Sequence, residues 1–194
     1  MRVAGLLLAA GAGRRFGGPK ALAVLDGQPL VSRGADLLRD GGCAPVVVVI
    51  GAEAEQVQRV VDAPLVHAQV VVAEDWADGL GASLRAGLAA LADTDATACV
   101  VVLVDQPLVG VAAVRRLVAA APGAEAAVAT YGGEVGHPVL LSRAVWPEVA
   151  RLAVGDSGAR AWLRAHPTRV LAVPCDGTGS PRDVDTAQEL SELT

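Results

Sequence analysis

Of the 16 basic side chains in the sequence only one is a lysine, Lys20, and it closes a glycine-rich stretch, Leu8-Ala-Ala-Gly-Ala-Gly-Arg-Arg-Phe-Gly-Gly-Pro-Lys20. An apolar run that stops at such a turn exposes backbone N–H groups, which form a cradle for a phosphate. Arg15 and Lys20 would add full positive charge, and the lysine head is a compact point charge where arginine is a planar fork. Carboxylates come from elsewhere: Asp105 directly follows the apolar run 97–104, and Asp185 lies in Arg182-Asp-Val-Asp-Thr186. Magnesium takes oxygen ligands and keeps several waters, so one or two carboxylates suffice to hold it. These parts suit chemistry at a polyphosphate, where charge is neutralised, phosphorus is aligned and a leaving group is stabilised.

Spacing sorts the loop. A P-loop has lysine directly after its last glycine and then Ser or Thr, but here Pro19 intervenes and Ala21 follows. A dinucleotide fingerprint needs Gly-x-Gly-x-x-Gly opening a helix and an acidic residue about 20 positions on. Gly11 and Gly13 fit, yet the third glycine falls one place late at Gly17, and the next strand runs to Ile50 before Glu53. That alternative is weakened and stays open. A third type, Leu-Ala-Ala-Gly-x-x-x-Arg-x-Gly-x-x-Lys, wraps the triphosphate in nucleotidyltransferases. Leu8, Ala9, Ala10, Gly11, Arg15, Gly17 and Lys20 resemble it at every fixed place, with Ala12 and Gly13 supplying backbone between them.

The surrounding pattern is α/β. Short apolar runs at 45–50, 70–73 and 97–104 read as strands, the β-branched run 45–50 as one covered on both faces. Between them, Leu30, Val31, Ala35, Leu37 and Leu38 line one helical face, with Pro29 in its first turn and Gly41-Gly42 at its end. Further helices are expected at 53–61, around Leu84, Leu88 and Leu91, at 114–120, and from Gly155 to Ala165. Two strands meet across Gly132-Gly133, another covers 169–173, and Thr186 with Glu189 makes a capping-box pattern. Asp105 then stands just beyond the carboxyl end of a central strand, where open α/β sheets bind ligands. Gly81 and Ser83 begin a helix whose free N–H groups meet either an anion or base, or plain solvent.

Composition narrows the class. The 194 residues fit one domain, 1–194, with no repeat or linker. Ala, Val and Leu dominate and aromatics are 3%, as in a sheet packed closely under helices. A formal charge of −5 argues against a nucleic-acid surface. No apolar run reaches membrane-span length and no cleavable leader is visible, so a cytoplasmic protein with no membrane role is expected. Cys43, Cys99 and Cys175 are odd in number and scattered, which suggests buried thiols rather than disulfides or zinc.

Five segments in register extend the resemblance over nearly the whole chain: Trp76-Ala-Asp-Gly-Leu-Gly-Ala-Ser-Leu-Arg-Ala-Gly87, Asp105-Gln-Pro-Leu108, Gly136-His-Pro-Val-Leu140, Gly155-Asp-Ser-Gly-Ala-Arg160 and Asp183-Val-Asp-Thr186. Together with the loop they resemble the MobA/MocA-type nucleotidyltransferases, and most of all the molybdenum cofactor cytidylyltransferases. The resemblance implies a Rossmann-like three-layer α/β/α sandwich with a mostly parallel sheet, Mg²⁺, and transfer of CMP from CTP to molybdopterin with release of pyrophosphate. It implies Asp105 and Asp185 as metal ligands, Lys20 as phosphate ligand, and His137, Asp156 and Arg160 on the acceptor side. In that family Leu-Ala-Ala-Gly accompanies cytidine and Leu-Ala-Gly-Gly guanosine, so Ala10 implies CTP. A molybdenum hydroxylase or its chaperone would be the partner. The chain departs in having Gly13 where Ser is frequent and Ala21 where Leu is common. Other acceptors, such as a sugar phosphate, remain alternatives, as do an NAD(P)H-dependent reductase and a nucleotide-binding protein without catalysis.

Overall fold

The computed structural model describes residues 1–62 and 67–193. In chain order the elements are β1 (Val3–Leu8), a short hairpin of β2 (Val24–Leu25) and β3 (Gln28–Pro29), α1 (Leu30–Asp40), β4 (Val46–Ile50), α2 (Ala54–Val61), β5 (Gln69–Val72), α3 (Leu80–Ala92), β6 (Ala98–Leu103), α4 (Val111–Ala120), β7 (Ala126–Tyr131), β8 (Glu134–Ser142), α5 (Trp146–Leu152), α6 (Arg160–Ala165), β9 (Val170–Pro174) and α7 (Ala187–Ser191).

Seven strands form one sheet in the order β5-β4-β1-β6-β8-β7-β9. Only β8 runs against its neighbours, so the sheet is mostly parallel. Alternation along β1 shows why both faces must be covered. Leu7 points into a layer with Val31, Ala35 and Leu38 of α1, Val57 of α2 and Leu117 of α4. Leu6 and Leu8 point the other way, against Leu84 and Leu88 of α3, Val149 of α5 and Trp162 of α6. Each fully buried leucine contributes about 2 kcal/mol by leaving water. The result is the expected Rossmann-like α/β/α sandwich, and no helix among the described residues is long and apolar enough to cross a membrane. Cys43, Cys99 and Cys175 are all buried free thiols.

Three local expectations are corrected. Pro29 ends β3 and precedes the helix rather than opening it. The helix expected from Gly155 to Ala165 is broken: a single 3₁₀ turn at Gly155–Ser157 leads to Gly158 at φ 51°, and only then does α6 start. Helix α5 was not foreseen; Pro147 in its first turn is the start signal.

The C-terminal tail is fixed at both of its ends. The capping box at α7 is present, with Glu189 N–H donating to Thr186 Oγ1 at 3.2 Å and Thr186 N–H to Glu189 Oε2 at 3.0 Å. Val184 and Leu190 pack on Leu25 and Leu30, so the last turn of the chain is anchored beside the hairpin that comes after the glycine loop.

Candidate active site

Strands β1 and β6 are parallel neighbours in register, Leu8 beside Leu103, so the segments leaving their carboxyl ends emerge side by side. One is the glycine loop. Its chain folds over itself, with the N–H groups of Phe16, Gly17 and Gly18 all donating to Gly13 O. Gly13 has φ 58°, and a Cβ there would lie 1.9 Å from Gly18 O. In this closure no side chain fits at Gly13. The other segment is Val104-Asp105, and the C-terminal tail docks on it through Val184 N–H to Asp105 O at 2.8 Å.

These three pieces bring Lys20, Asp105 and Asp185 together. Lys20 Nζ donates to Asp185 Oδ1 at 2.9 Å and to Asp105 Oδ2 at 3.2 Å, while Arg15 pairs with Asp185 Oδ2 at 3.0 Å. The Lys20 side chain is 13% exposed and that of Arg15 76%, so the lysine is clamped and the arginine reaches in from solvent. Burial works against the ammonium, but the Asp185 hydrogen bond and the Asp105 charge outweigh it and hold Lys20 above its ordinary pKa. Burial raises Asp105 above the usual carboxylate range, with the nearby Asp183 charge adding to it and Lys20 opposing. Asp185 goes the other way, lowered by the hydrogen bond from Lys20 and by Arg15.

A cleft of about 650 Å³ opens over this group. On the loop side Leu8, Ala10, Gly11, Ala12 and Gly13 line it. Ala9 lies beneath, buried, with its N–H on Val49 O. Trp76, Leu80 and Ser83 line the cleft as well. Gly51 lies between Trp76 and Ala10, so close that a Cβ on it would be 2.5 Å from the indole and 2.9 Å from the Ala10 methyl. Asp156 also lines the cleft and accepts from Leu80 N–H at 3.4 Å, in the first turn of α3. Gly81 does not reach the cleft; it is glycine because Ala153 O would lie 2.5 Å from a Cβ. His137 and Arg160 lie outside the lining as well. His137 is partly buried in β8, its carbonyl accepting from Tyr131 Oη at 2.9 Å, and burial pushes its imidazole down to about 4. Asp183 opposes that shift and Arg160 adds to it, which places His137 within electrostatic reach of both.

Two residues escaped the reading of the sequence. Asp183 lines the cleft, and Gln106 holds it through Nε2 to Asp183 Oδ1 at 2.8 Å. The signal was available in Asp183-Val184-Asp185: Val184 is buried, so the flanking carboxylates are turned away from the core together.

The donor set can be tested for a cation. Among the described residues no group of three or more His, Cys, Asp or Glu is placed to hold a metal. Asp105 and Asp185 nevertheless flank a single cation already, the Lys20 ammonium, and they offer only oxygen. Two carboxylates around a cation-sized place fit a hard divalent ion that completes its shell with water and phosphate. The first α-helix after the loop begins only at Leu30, so Gly11-x-Gly13 opens no α-helix as a dinucleotide fingerprint does.

Comparison with known proteins agrees with this geometry. A nicotine blue oxidoreductase of Paenarthrobacter nicotinovorans is 38% identical, covering 98% of this chain and 96% of that protein. A molybdenum cofactor guanylyltransferase of Rhodobacter capsulatus is 34% identical, covering 98% and 94%. The crystal structure of Rv0371c from Mycobacterium tuberculosis H37Rv superposes with a TM-score of 0.87 at 34% identity, over 100% of this chain and 97% of that one, and the same protein has been crystallised with manganese. Residues 5–173 match the MobA-like NTP transferase domain, and the chain, with its glycine loop and paired carboxylates on one cleft, is a nucleotidyltransferase that belongs to that family.

Proposed function

We propose that the chain, residues 1–194 acting as one domain in the cytoplasm, transfers CMP from CTP to the phosphate of a molybdopterin-type acceptor and releases pyrophosphate. The observation that carries this reading is the convergence of Lys20, Asp105 and Asp185 within hydrogen-bonding distance at the mouth of the glycine loop. The amides of residues 11–13 receive the triphosphate, Arg15 and Lys20 neutralise it, and Asp105 and Asp185 hold Mg²⁺. That cation, when bound, stabilises charge on the reacting phosphates. The residues of the chain position and polarise; an ionised acceptor phosphate is its own nucleophile, so no side chain has to remove a proton.

Ala10 supports cytidine. Its methyl packs against Gly51 under Trp76, at the floor of the cleft. A methyl at this depth favours the smaller pyrimidine, and glycine would make room for a purine. Ser83 and the first-turn amides near Gly81 lie on the wall available to the base. Asp156, with Arg160 and His137 further out, forms the acceptor side, and product would pass to a molybdenum hydroxylase or its chaperone.

A second reading has one observation in its favour, the relative called a nicotine blue oxidoreductase. It would make the cleft a site for a reduced pyridine nucleotide and an aromatic acceptor. One assay separates the two. Pyrophosphate release is measured with CTP, GTP, ATP and UTP in the presence of molybdopterin and Mg²⁺, alongside oxidation of NADH and NADPH with an aromatic dye supplied as hydride acceptor. CTP-dependent release supports the proposal; nucleotide-independent oxidation of NADH or NADPH without any pyrophosphate release would replace it with the second reading.

A further inference from the structure

We infer that Lys20 keeps the cation seat closed in the free enzyme, so that the divalent ion enters with the nucleotide and not before it. The inference rests on the proposed role of Asp105 and Asp185 as cation ligands. Lys20 Nζ bonds one oxygen of each carboxylate, Asp185 Oδ1 at 2.9 Å and Asp105 Oδ2 at 3.2 Å. Those are the atoms that a shared cation would need. Arg15 takes the remaining oxygen of Asp185 at 3.0 Å.

A divalent ion and an ammonium cannot both occupy this position. Like charges a few ångströms apart repel strongly in a partly buried site, and the carboxylate oxygens would have to serve both. A triphosphate changes the balance by offering the lysine new partners. Lys20 comes directly after the loop, in the 3₁₀ turn Lys20–Leu22, so its flexible four-carbon stem can turn from the carboxylates to phosphates held by the loop amides. An arginine here would grip a carboxylate through two parallel bonds and resist that exchange. This gives a physical reason for the single lysine in a chain whose other basic residues are all arginine.

The test is metal binding without turnover. Mn²⁺ affinity is measured by electron paramagnetic resonance for the full chain, for Lys20→Met and for Lys20→Arg, with no nucleotide present. The expected result is about tenfold tighter Mn²⁺ binding in Lys20→Met than in the parent, a coupling of ordinary size between two sites, and no gain in Lys20→Arg. Equal affinity in parent and Lys20→Met overturns the inference. Failure of the underlying reading looks different: Asp105→Asn would then leave Mn²⁺ binding unchanged in the presence of a non-hydrolysable CTP analogue. A measurement on the unaltered protein covers the case in which Lys20→Met does not fold. Lysine labelled at Cε gives one nuclear magnetic resonance signal, from Lys20. Mg²⁺ alone should leave it in place and Mg²⁺ with the analogue should move it; a full shift with Mg²⁺ alone overturns the inference.

Discussion

Replacing Gln106 by methionine should weaken cation use while leaving stability almost unchanged. Gln106 is 8% exposed; its Nε2 donates to Asp183, and its Oε1 is buried without a partner among the described residues. Methionine keeps the volume and removes both polar atoms. A hydrogen bond to an ionised group is worth about 1.5–3 kcal/mol, but Asp183 is exposed and water replaces the lost donor, which reduces the cost to about 1 kcal/mol. Against this, the stranded carbonyl oxygen carries a desolvation penalty of about 1–3 kcal/mol that methionine relieves. The two effects cancel to within about 1 kcal/mol, or about 4 °C in Tm for a chain of this size. The site has no such compensation. The segment carrying Asp183 and Asp185 keeps its backbone bond from Val184 to Asp105, at 2.8 Å, and the Lys20 and Arg15 contacts of Asp185, but loses the side-chain tie that holds Asp183. Half-saturation by Mg²⁺ in the pyrophosphate-release assay should therefore rise about tenfold, equivalent to about 1.4 kcal/mol, with kcat at saturating Mg²⁺ little altered. Urea unfolding supplies the stability. A loss of more than about 3 kcal/mol with unchanged Mg²⁺ dependence would refute the reasoning, because Gln106 would then be a core residue and not a positioning one.

Ala10→Gly should shift nucleotide preference toward GTP by about tenfold in kcat/KM, the scale of one methyl group in a packed pocket; an unchanged ratio would detach Ala10 from base selection. Gly13→Ala forces the loop open, since its Cβ would lie 1.9 Å from Gly18 O, and calorimetry should show CTP affinity reduced about tenfold or more with only a small fall in Tm; undiminished affinity would mean that this loop is not the cradle. His137 is held neutral, with its pKa lowered from 6.5 to about 4. The unfolded chain then binds the extra proton first, so stability should fall as pH drops from about 6.5 toward 4, and His137→Gln should flatten that part of a urea-midpoint profile. A profile identical in both proteins would show that His137 titrates normally.

The sheet was legible because its strands are continuous apolar runs, and in a two-sided sheet that pattern has few other solutions. Asp105 was legible for a related reason, as the first charge after the most apolar of those runs. Helix α5 was not, because at seven residues it is too short to show a helical period, and only Pro147 marks its start. The break at Gly158 was hidden as well: its positive φ is a property of the folded turn, and the surrounding residue types suit a helix start equally. In the site, Lys20 and Arg15 stood out by type and spacing. Their pairing with Asp185 depends on α7 and the small cluster of Leu25, Leu30, Val184 and Leu190, contacts between chain ends that no local pattern encodes. At Gly81 the sequence left open whether a ligand or a close neighbour calls for glycine at a helix start, and the structure shows a neighbour, the Ala153 carbonyl.

The central claim is that the glycine loop and the two carboxylates share one metal-bound nucleoside triphosphate. Crystals grown with Mn²⁺ and a non-hydrolysable CTP analogue test it directly through the anomalous signal of manganese. The account predicts a manganese peak bound by Asp105 and Asp185, with the triphosphate along residues 11–15 and Lys20 turned onto it. A nucleotide bound elsewhere, or manganese with neither carboxylate as a ligand, would contradict it.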